Sequence, residues 1–190
     1  MLPADYHGVV CGRCSQFTLP VSRIISALVY EYPVDKLVAM TKFQARVDGA
    51  NVLGELLADY LQAKIDSDDL ELPDLILPVP LHRRRLAQRG FNQATEIARP
   101  LAKALRLPLC LDECRRIRDT AEQTRLDALA RLKNTRNAFR ASAAMAALHV
   151  VVVDDVITTG STALSMVAAL RDAGAREIQV WTVARAVSRN

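Results

Sequence analysis

The chain has 190 residues, a formal net charge of +4, 51% hydrophobic and 24% charged residues. That length suits one domain with a short appendage and excludes a large multidomain enzyme, while the composition excludes a disordered chain. No run reaches the roughly 18–20 uninterrupted apolar residues of a membrane span, and Met1-Leu2-Pro3-Ala4-Asp5 lacks the basic segment and apolar core of a secretory signal, so a cytoplasmic protein without membrane insertion is expected.

Residues 1–20 carry Pro3, Gly8, Gly12 and Pro20 without hydrophobic periodicity and read as an irregular arm preceding a main domain at 21–190. In the arm, Cys11 and Cys14 have the spacing of half a structural zinc site and are the candidate zinc ligands. Tetrahedral zinc takes four ligands, however, and no second CxxC or CxxH lies nearby, so zinc is not expected in this chain. Thiols without a secretion signal stay reduced, so Cys110 and Cys114 read as packing residues.

Ile24–Tyr32 is β-branched and aromatic enough for a strand. Val34–Phe43 and Val52–Ile65 space apolar residues as amphipathic helices do, Leu53, Leu56, Leu57 and Tyr60 in the second. Leu75–Leu77 is a short buried strand that stops in a rigid Pro78-Val79-Pro80 loop. A helix is expected from Asn92 to Leu105, with Ile97, Leu101 and Leu105 on one side, then a strand at Leu107–Leu111 and a polar, mobile loop over 112–124. A further helix starts after the capping residue Thr124.

Leu148–Val153 is a continuous β-branched run, the pattern of a strand buried on both faces of a parallel sheet. Asp154-Asp155 ends it, a Thr/Gly/Ser turn follows, Ala163–Ala173 is helical and stops at Gly174, and Ile178–Val183 returns to strand. Strand, turn, helix and strand make a βαβ unit, so the fold class is α/β.

Charge is uneven along this order. Residues 81–140 hold 15 Lys/Arg against 6 Asp/Glu, a local +9 that leaves −5 on the rest, and 20 of the chain's 25 basic residues are Arg. The planar guanidinium fork suits bidentate phosphate recognition.

The stretch Val150–Thr162 carries the chemistry. Its turn joins the carboxyl end of a strand to the amino end of a helix, where free N–H groups and the helix dipole favour an anion. Gly160 permits the tight backbone, and Thr158, Thr159, Ser161 and Thr162 add hydroxyl donors without charge, which suits a dianionic monophosphate. Asp154 and Asp155 would repel that phosphate unless they accept hydrogen bonds from sugar hydroxyls or hold Mg²⁺, directly or through its waters. A sugar phosphate is the natural ligand. Neither GxxxxGK[ST] nor a GxGxxG after a strand is present, so a P-loop NTPase and a dinucleotide-binding Rossmann domain are unsupported.

This thirteen-residue stretch resembles the phosphoribosyl pyrophosphate (PRPP) signature of type I phosphoribosyltransferases. Pro78-Val79-Pro80-Leu81-His82-Arg83-Arg84-Arg85, Arg89-Gly90-Phe91-Asn92-Gln93, Arg118-Asp119-Thr120 with Gln123, Arg136-Asn137 with Ala138-Phe139, and Ala173-Gly174-Ala175 resemble the ComF/GntX competence-protein family, from about Cys11 to Arg185. The resemblance implies a type I phosphoribosyltransferase fold, a twisted, mostly parallel sheet flanked by helices. It implies that Thr158, Thr159, Gly160, Ser161 and Thr162 hold the 5-phosphate and that Asp154 and Asp155 face the ribose 2- and 3-hydroxyls. It further implies that Val79, Pro80, Leu81, His82, Arg83 and Arg84 meet the diphosphate, and that residues 117–125 form a flexible catalytic loop with Arg118 and Arg125 closing over it. The family's N-terminal module carries several CxxC pairs, of which only Cys11-Gly12-Arg13-Cys14 is present here.

The implied chemistry is displacement at the anomeric carbon of PRPP, with Mg²⁺ as cofactor and an unknown base or amine as acceptor. His82, Phe91, Tyr30 and Tyr32 are stacking candidates that read more simply as packing or loop residues. An alternative reading is a non-catalytic or PRPP-regulated protein of DNA uptake, in which Arg83, Arg84, Arg85, Arg89, Arg115, Arg116 and Arg118 hold single-stranded DNA and Phe91 stacks on a base. The resemblance is also compatible with a homodimer.

Overall fold

The structure, a computed structural model, describes residues 21–43, 47–119 and 137–186. In chain order its elements are β1 (Arg23–Val29), α1 (Val34–Phe43), α2 (Val47–Asp66), β2 (Leu75–Pro78), α3 (Arg83–Arg89) and α4 (Gln93–Leu105). There follow β3 (Cys114–Arg116), β4 (Phe139–Ala141), a single 3₁₀ turn at Ala143–Met145, β5 (His149–Ile157), α5 (Ser161–Asp172) and β6 (Glu177–Arg185). Four strands form one parallel sheet in the order β1-β6-β5-β2, and β3 and β4 pair antiparallel beside it.

The sheet is covered on both faces, which is why its central strands are apolar without alternation. On one face Ile76, Val151, Val153 and Trp181 pack against Leu53 and Leu57 of α2 and Ile97 and Leu101 of α4. On the other, Val150, Val152, Ile178 and Val180 pack against Met166, Val167 and Leu170 of α5, with Cys114 and Phe139 of the hairpin closing the layer. The largest of these side chains, Trp181, is wholly buried and satisfies its indole N–H on Gln179 Oε1 at 2.9 Å. Where α2 crosses α4, a Cβ on Gly54 would overlap the Ile97 carbonyl and the Pro100 ring, so only glycine permits this approach.

The expected β/α succession is present, with instructive differences. Helix α2 begins before the expected Val52, and Leu56 turns outward while Leu53 and Leu57 are buried. Leu107–Leu111 is not a strand: it runs beside β2 through Pro108 O to Ile76 N and Cys110 N to Ile76 O, but forms a single bridge, Ile76 to Leu109. Pro108 has no N–H to extend a ladder. The expected polar loop over 112–124 contains β3, whose Arg115 and Arg116 pair with Arg140 and Phe139. Strand β5 does not end at Asp154-Asp155 but runs to Ile157, because β6 continues beside it and pairs Thr182 with Asp154 and Ala184 with Val156. Helix α3 was not expected at all. The arm at 1–20, with Cys11 and Cys14, and the helix expected after Thr124 lie outside the described residues, as does Arg125.

Candidate functional site at the carboxyl edge of the sheet

Because β2 and β5 are parallel neighbours, the loops leaving their carboxyl ends emerge side by side. The Val79 N–H donates to the Val153 carbonyl at 2.9 Å, so the loop after β2 begins at the level where Asp154 and Asp155 begin. Ligands of open α/β sheets bind at such edges.

In the β5 to α5 connection, each acid folds its carboxylate onto the next amide. Asp154 Oδ1 accepts from the Asp155 N–H at 2.9 Å, and Asp155 Oδ1 accepts from the Val156 N–H at 2.6 Å. These bonds and the β6 ladder place both acids on rigid strand backbone rather than in a mobile turn. Asp155 is buried and Asp154 half-buried. Gly160 adopts the left-handed conformation, φ 74°, as the residue that caps α5, and no side chain caps that helix among the described residues. The intrahelical ladder begins with the Leu164 N–H on the Gly160 carbonyl at 2.8 Å, so the N–H groups of the preceding turn precede the ladder and point out of the helix end. Thr158 and Thr159 are exposed, Thr162 is half-buried, and the Thr159 hydroxyl donates to buried Ser161 Oγ at 3.2 Å. The connection thus gathers main-chain and hydroxyl donors with no cation.

The β2 connection is built the opposite way. Pro78 and Pro80 lack an N–H, so after the committed Val79 the first loop donors are those of Leu81 and His82. His82 then caps α3, its Nδ1 accepting from the Arg84 N–H at 3.4 Å, and Gly90 closes the helix at φ 80°. Arg83 and Arg84 are therefore first-turn helix residues rather than loop residues, and both are exposed. Asp119, which follows β3, comes to 3.9 Å from His82 Nδ1, 4.0 Å from Arg84 and 3.7 Å from Arg85. This cluster joins the segment beginning at Arg118 to α3 through a carboxylate, a link the sequence did not reveal. The guanidinium of Arg116 lies 5.5 Å from the centroid of the Phe139 ring across the hairpin. Burial pushes the Cys114 thiol up to about 12, so it is a packing residue and not a nucleophile.

A resident Mg²⁺ fits the donor set in chemistry. Asp154 and Asp155 are hard oxygen donors at the crevice edge, and magnesium is ordinarily held by one or two carboxylates together with substrate phosphates and waters. Among the described residues no cluster of three His, Cys, Asp or Glu side chains forms a self-sufficient metal cage. A cavity of about 320 Å³ lined by Gln62, Ile65, Leu72, Ala104, Leu105 and Arg106 shares no residue with either loop.

The phosphoribosyl transferase domain family matches residues 86–190. The DNA utilization protein YhgH of Salmonella typhimurium is 40% identical over 184 residues, 97% of this chain and 81% of the relative. Competence protein F of Haemophilus influenzae is 34% identical over 185 residues, 96% of this chain and 81% of the relative. Among solved structures, the glutamine PRPP amidotransferase of B. subtilis complexed with ADP and GMP superposes with a TM-score of 0.46 at 25% identity. That likeness covers 70% of this chain, which spans only 25% of the amidotransferase chain. Among the described residues no helix is long and apolar enough to cross a membrane.

Proposed function

Since the chain belongs to the phosphoribosyl transferase domain family, in its ComF-type competence branch, we propose that it binds PRPP at the carboxyl edge of the sheet and transfers the phosphoribosyl group to a small acceptor. The observation that carries this reading is the pairing of two unlike donor-bearing loops at one edge, rooted within a single hydrogen bond of each other through Val79 and Val153. One offers neutral donors around Gly160, suited to a terminal monophosphate. The other offers the amides after Pro80 and the guanidinium groups of Arg83 and Arg84, suited to a diphosphate. Asp154 and Asp155 lie between them and suit the vicinal hydroxyls of the ribose.

In this proposal the 5-phosphate sits on the first turn of α5 and the ribose is held by accepted hydrogen bonds at Asp154 and Asp155. The bond between the anomeric carbon and the diphosphate oxygen breaks as the acceptor's lone pair forms the new bond, and the diphosphate leaves with the electron pair. Positive charge on the sugar is greatest in the transition state, and the nearby carboxylates stabilise it. Arginine side chains on α3 stabilise the charge growing on the leaving group, and Asp119, the residue after Arg118, approaches Arg84 and Arg85 of that helix. Asp154 and Asp155 would hold Mg²⁺, directly or through water, and the ion would supply charge neutralisation of the diphosphate. No protein nucleophile is required.

The test is calorimetric titration with PRPP in the presence and absence of Mg²⁺, with ribose 5-phosphate as comparison. Magnesium-dependent PRPP binding that falls by at least about tenfold in Asp154→Asn with Asp155→Asn, in a folded sample, is expected. PRPP binding no tighter than that of ribose 5-phosphate would overturn the reading.

The relatives named for DNA utilization and competence favour a second role, in which the same cationic surface holds single-stranded DNA. Arg83, Arg84 and Arg115 are exposed on α3 and the hairpin, as an electrostatic contact requires. DNA binding that falls steeply with salt and survives loss of Asp154 and Asp155 would separate this role from transfer.

A further inference from the structure

The loop after β2 is held at its root by a side chain outside it. Asn92 precedes α4, and its amide is used at both ends: Nδ2 donates to the Val79 carbonyl at 3.0 Å and Oδ1 accepts from the Ala94 N–H at 3.3 Å. These opposed partners fix which way the amide faces, since the reverse orientation would set donor against donor and acceptor against acceptor. With the Val79 N–H on Val153, both peptide groups of Val79 are committed. The prolines on either side narrow what remains, because each fixes its own φ and restricts the residue before it.

We infer that Asn92 is a positioning residue that sets the direction in which the loop amides of Leu81 and His82 meet a diphosphate. The inference rests on the proposed assignment of this loop to the diphosphate. Capping alone does not explain the residue, since a cap needs only an acceptor and Ser, Thr or Asp supplies one equally well. Asparagine adds the donor that reaches back across thirteen residues to Val79. The platform is rigid: Gln93, Ala94 and Thr95 are buried, and the Gln93 side-chain amide donates to the buried Thr41 hydroxyl of α1. Asn92 therefore couples the geometry of the anion loop to the α1/α4 layer beneath it.

Two variants test this. Asn92→Asp keeps the cap acceptor and loses the donor, and Asn92→Ser keeps a cap but is too short to reach Val79. Both are titrated with Mg-PRPP and with ribose 5-phosphate, and hydrogen exchange is followed in the free proteins. PRPP affinity is expected to fall about tenfold in each, while ribose 5-phosphate affinity stays within about twofold of wild type. Exchange should quicken at Leu81–Arg83 and remain unchanged through α4 and α5. Unchanged PRPP affinity in both variants overturns the inference, as does an equal loss for the two ligands or faster exchange throughout α4, either of which marks a merely structural role. Wild-type protein that binds PRPP no better than ribose 5-phosphate would instead overturn the loop assignment on which the inference stands.

Discussion

The two edges of the parallel sheet use charge in opposite ways. At the amino edge, charges are consumed by one another and by the backbone. Arg23 at the start of β1 and Lys64 near the end of α2 both bind the carboxylate of Asp69, at 2.7 and 2.8 Å. Asp74 before β2 accepts the His149 N–H at 2.7 Å and returns its own N–H to the His149 carbonyl at 2.7 Å. Arg171 donates to the carbonyls of Ala175 and Arg176, tying α5 to the turn before β6. At the carboxyl edge, a glycine-capped helix end and the exposed Arg83 and Arg84 are presented, with Asp119 no closer than 3.7 Å to Arg84 and Arg85. The contrast is between close ion pairs and backbone bonds that serve stability at the amino edge and, at the carboxyl edge, looser and more exposed charges that suit the proposed recognition of an anion.

Substitutions at Gly160, at Arg83 with Arg84, at Asp74 and at Asp69 separate the edges. The largest effect is expected for Gly160→Val. A Cβ there would meet only ordinary contacts at 3.8 Å or more, so the penalty comes from a β-branched residue at φ 74° and not from a clash. Loss of ribose 5-phosphate binding by at least about a hundredfold is expected by calorimetry, with a circular dichroism spectrum like wild type. Gly160→Asn, which tolerates the left-handed region, should retain more of the binding. Next, Arg83→Ala with Arg84→Ala should lower PRPP affinity by about tenfold at low salt, and the loss should shrink in 1 M salt because exposed charges are screened there. The Gly160→Val loss should not shrink.

The amino edge should show the reverse pattern. Asp74→Ala removes the acceptor of the His149 amide at a buried strand start, and a stability loss of about 1–2 kcal/mol by urea unfolding is expected with PRPP affinity unchanged. The smallest effect is expected at Asp69. Hydrogen bonds from Lys64 and then Arg23 lower its carboxyl pKa from 3.8 to about 2. A depressed folded-state pKa contributes stability that is present above the unfolded value and lost as pH falls from about 4 toward 2. Asp69→Asn should therefore flatten a small part of the acid limb of the stability profile and leave pH 7 binding untouched. An amino-edge substitution that weakened PRPP binding selectively would break the contrast.

What was legible in the sequence follows the same division between local and non-local causes. The β-branched run before Asp154, the Gly/Thr turn and the α5 pattern are set by neighbouring residues; the run lies in β5 as expected, while the turn is shortened to the residues around Gly160 and α5 starts at Ser161, two residues ahead of the expected Ala163. The continuation of β5 through the two acids depends on β6, whose Thr182 and Ala184 supply the missing ladder. Helix α3 has no buried residue, so it carries no apolar stripe for periodicity to reveal. Its cues were His82 as cap and Gly90 as stop. The hairpin strands are three residues each and pair Arg115 with Arg140, far apart in sequence and of like charge. Asp119 and Asn92 reached significance only when α3 and Val79 were placed beside them.

The strand order has a consequence for biogenesis. With β1 at one edge beside β6 and β2 paired to β5, each ladder of the parallel sheet includes a strand made after residue 148. On the ribosome, β1 and β2 emerge early yet meet no sheet partner until the last quarter of these residues has been translated. Their edges stay without a strand partner until then, a window in which chaperones that shield nascent strands would act. Assembly of the parallel sheet and the arrival of the Gly160 turn become one late event, so a chain halted before β5 has no four-stranded sheet and lacks the turn proposed to hold a sugar phosphate.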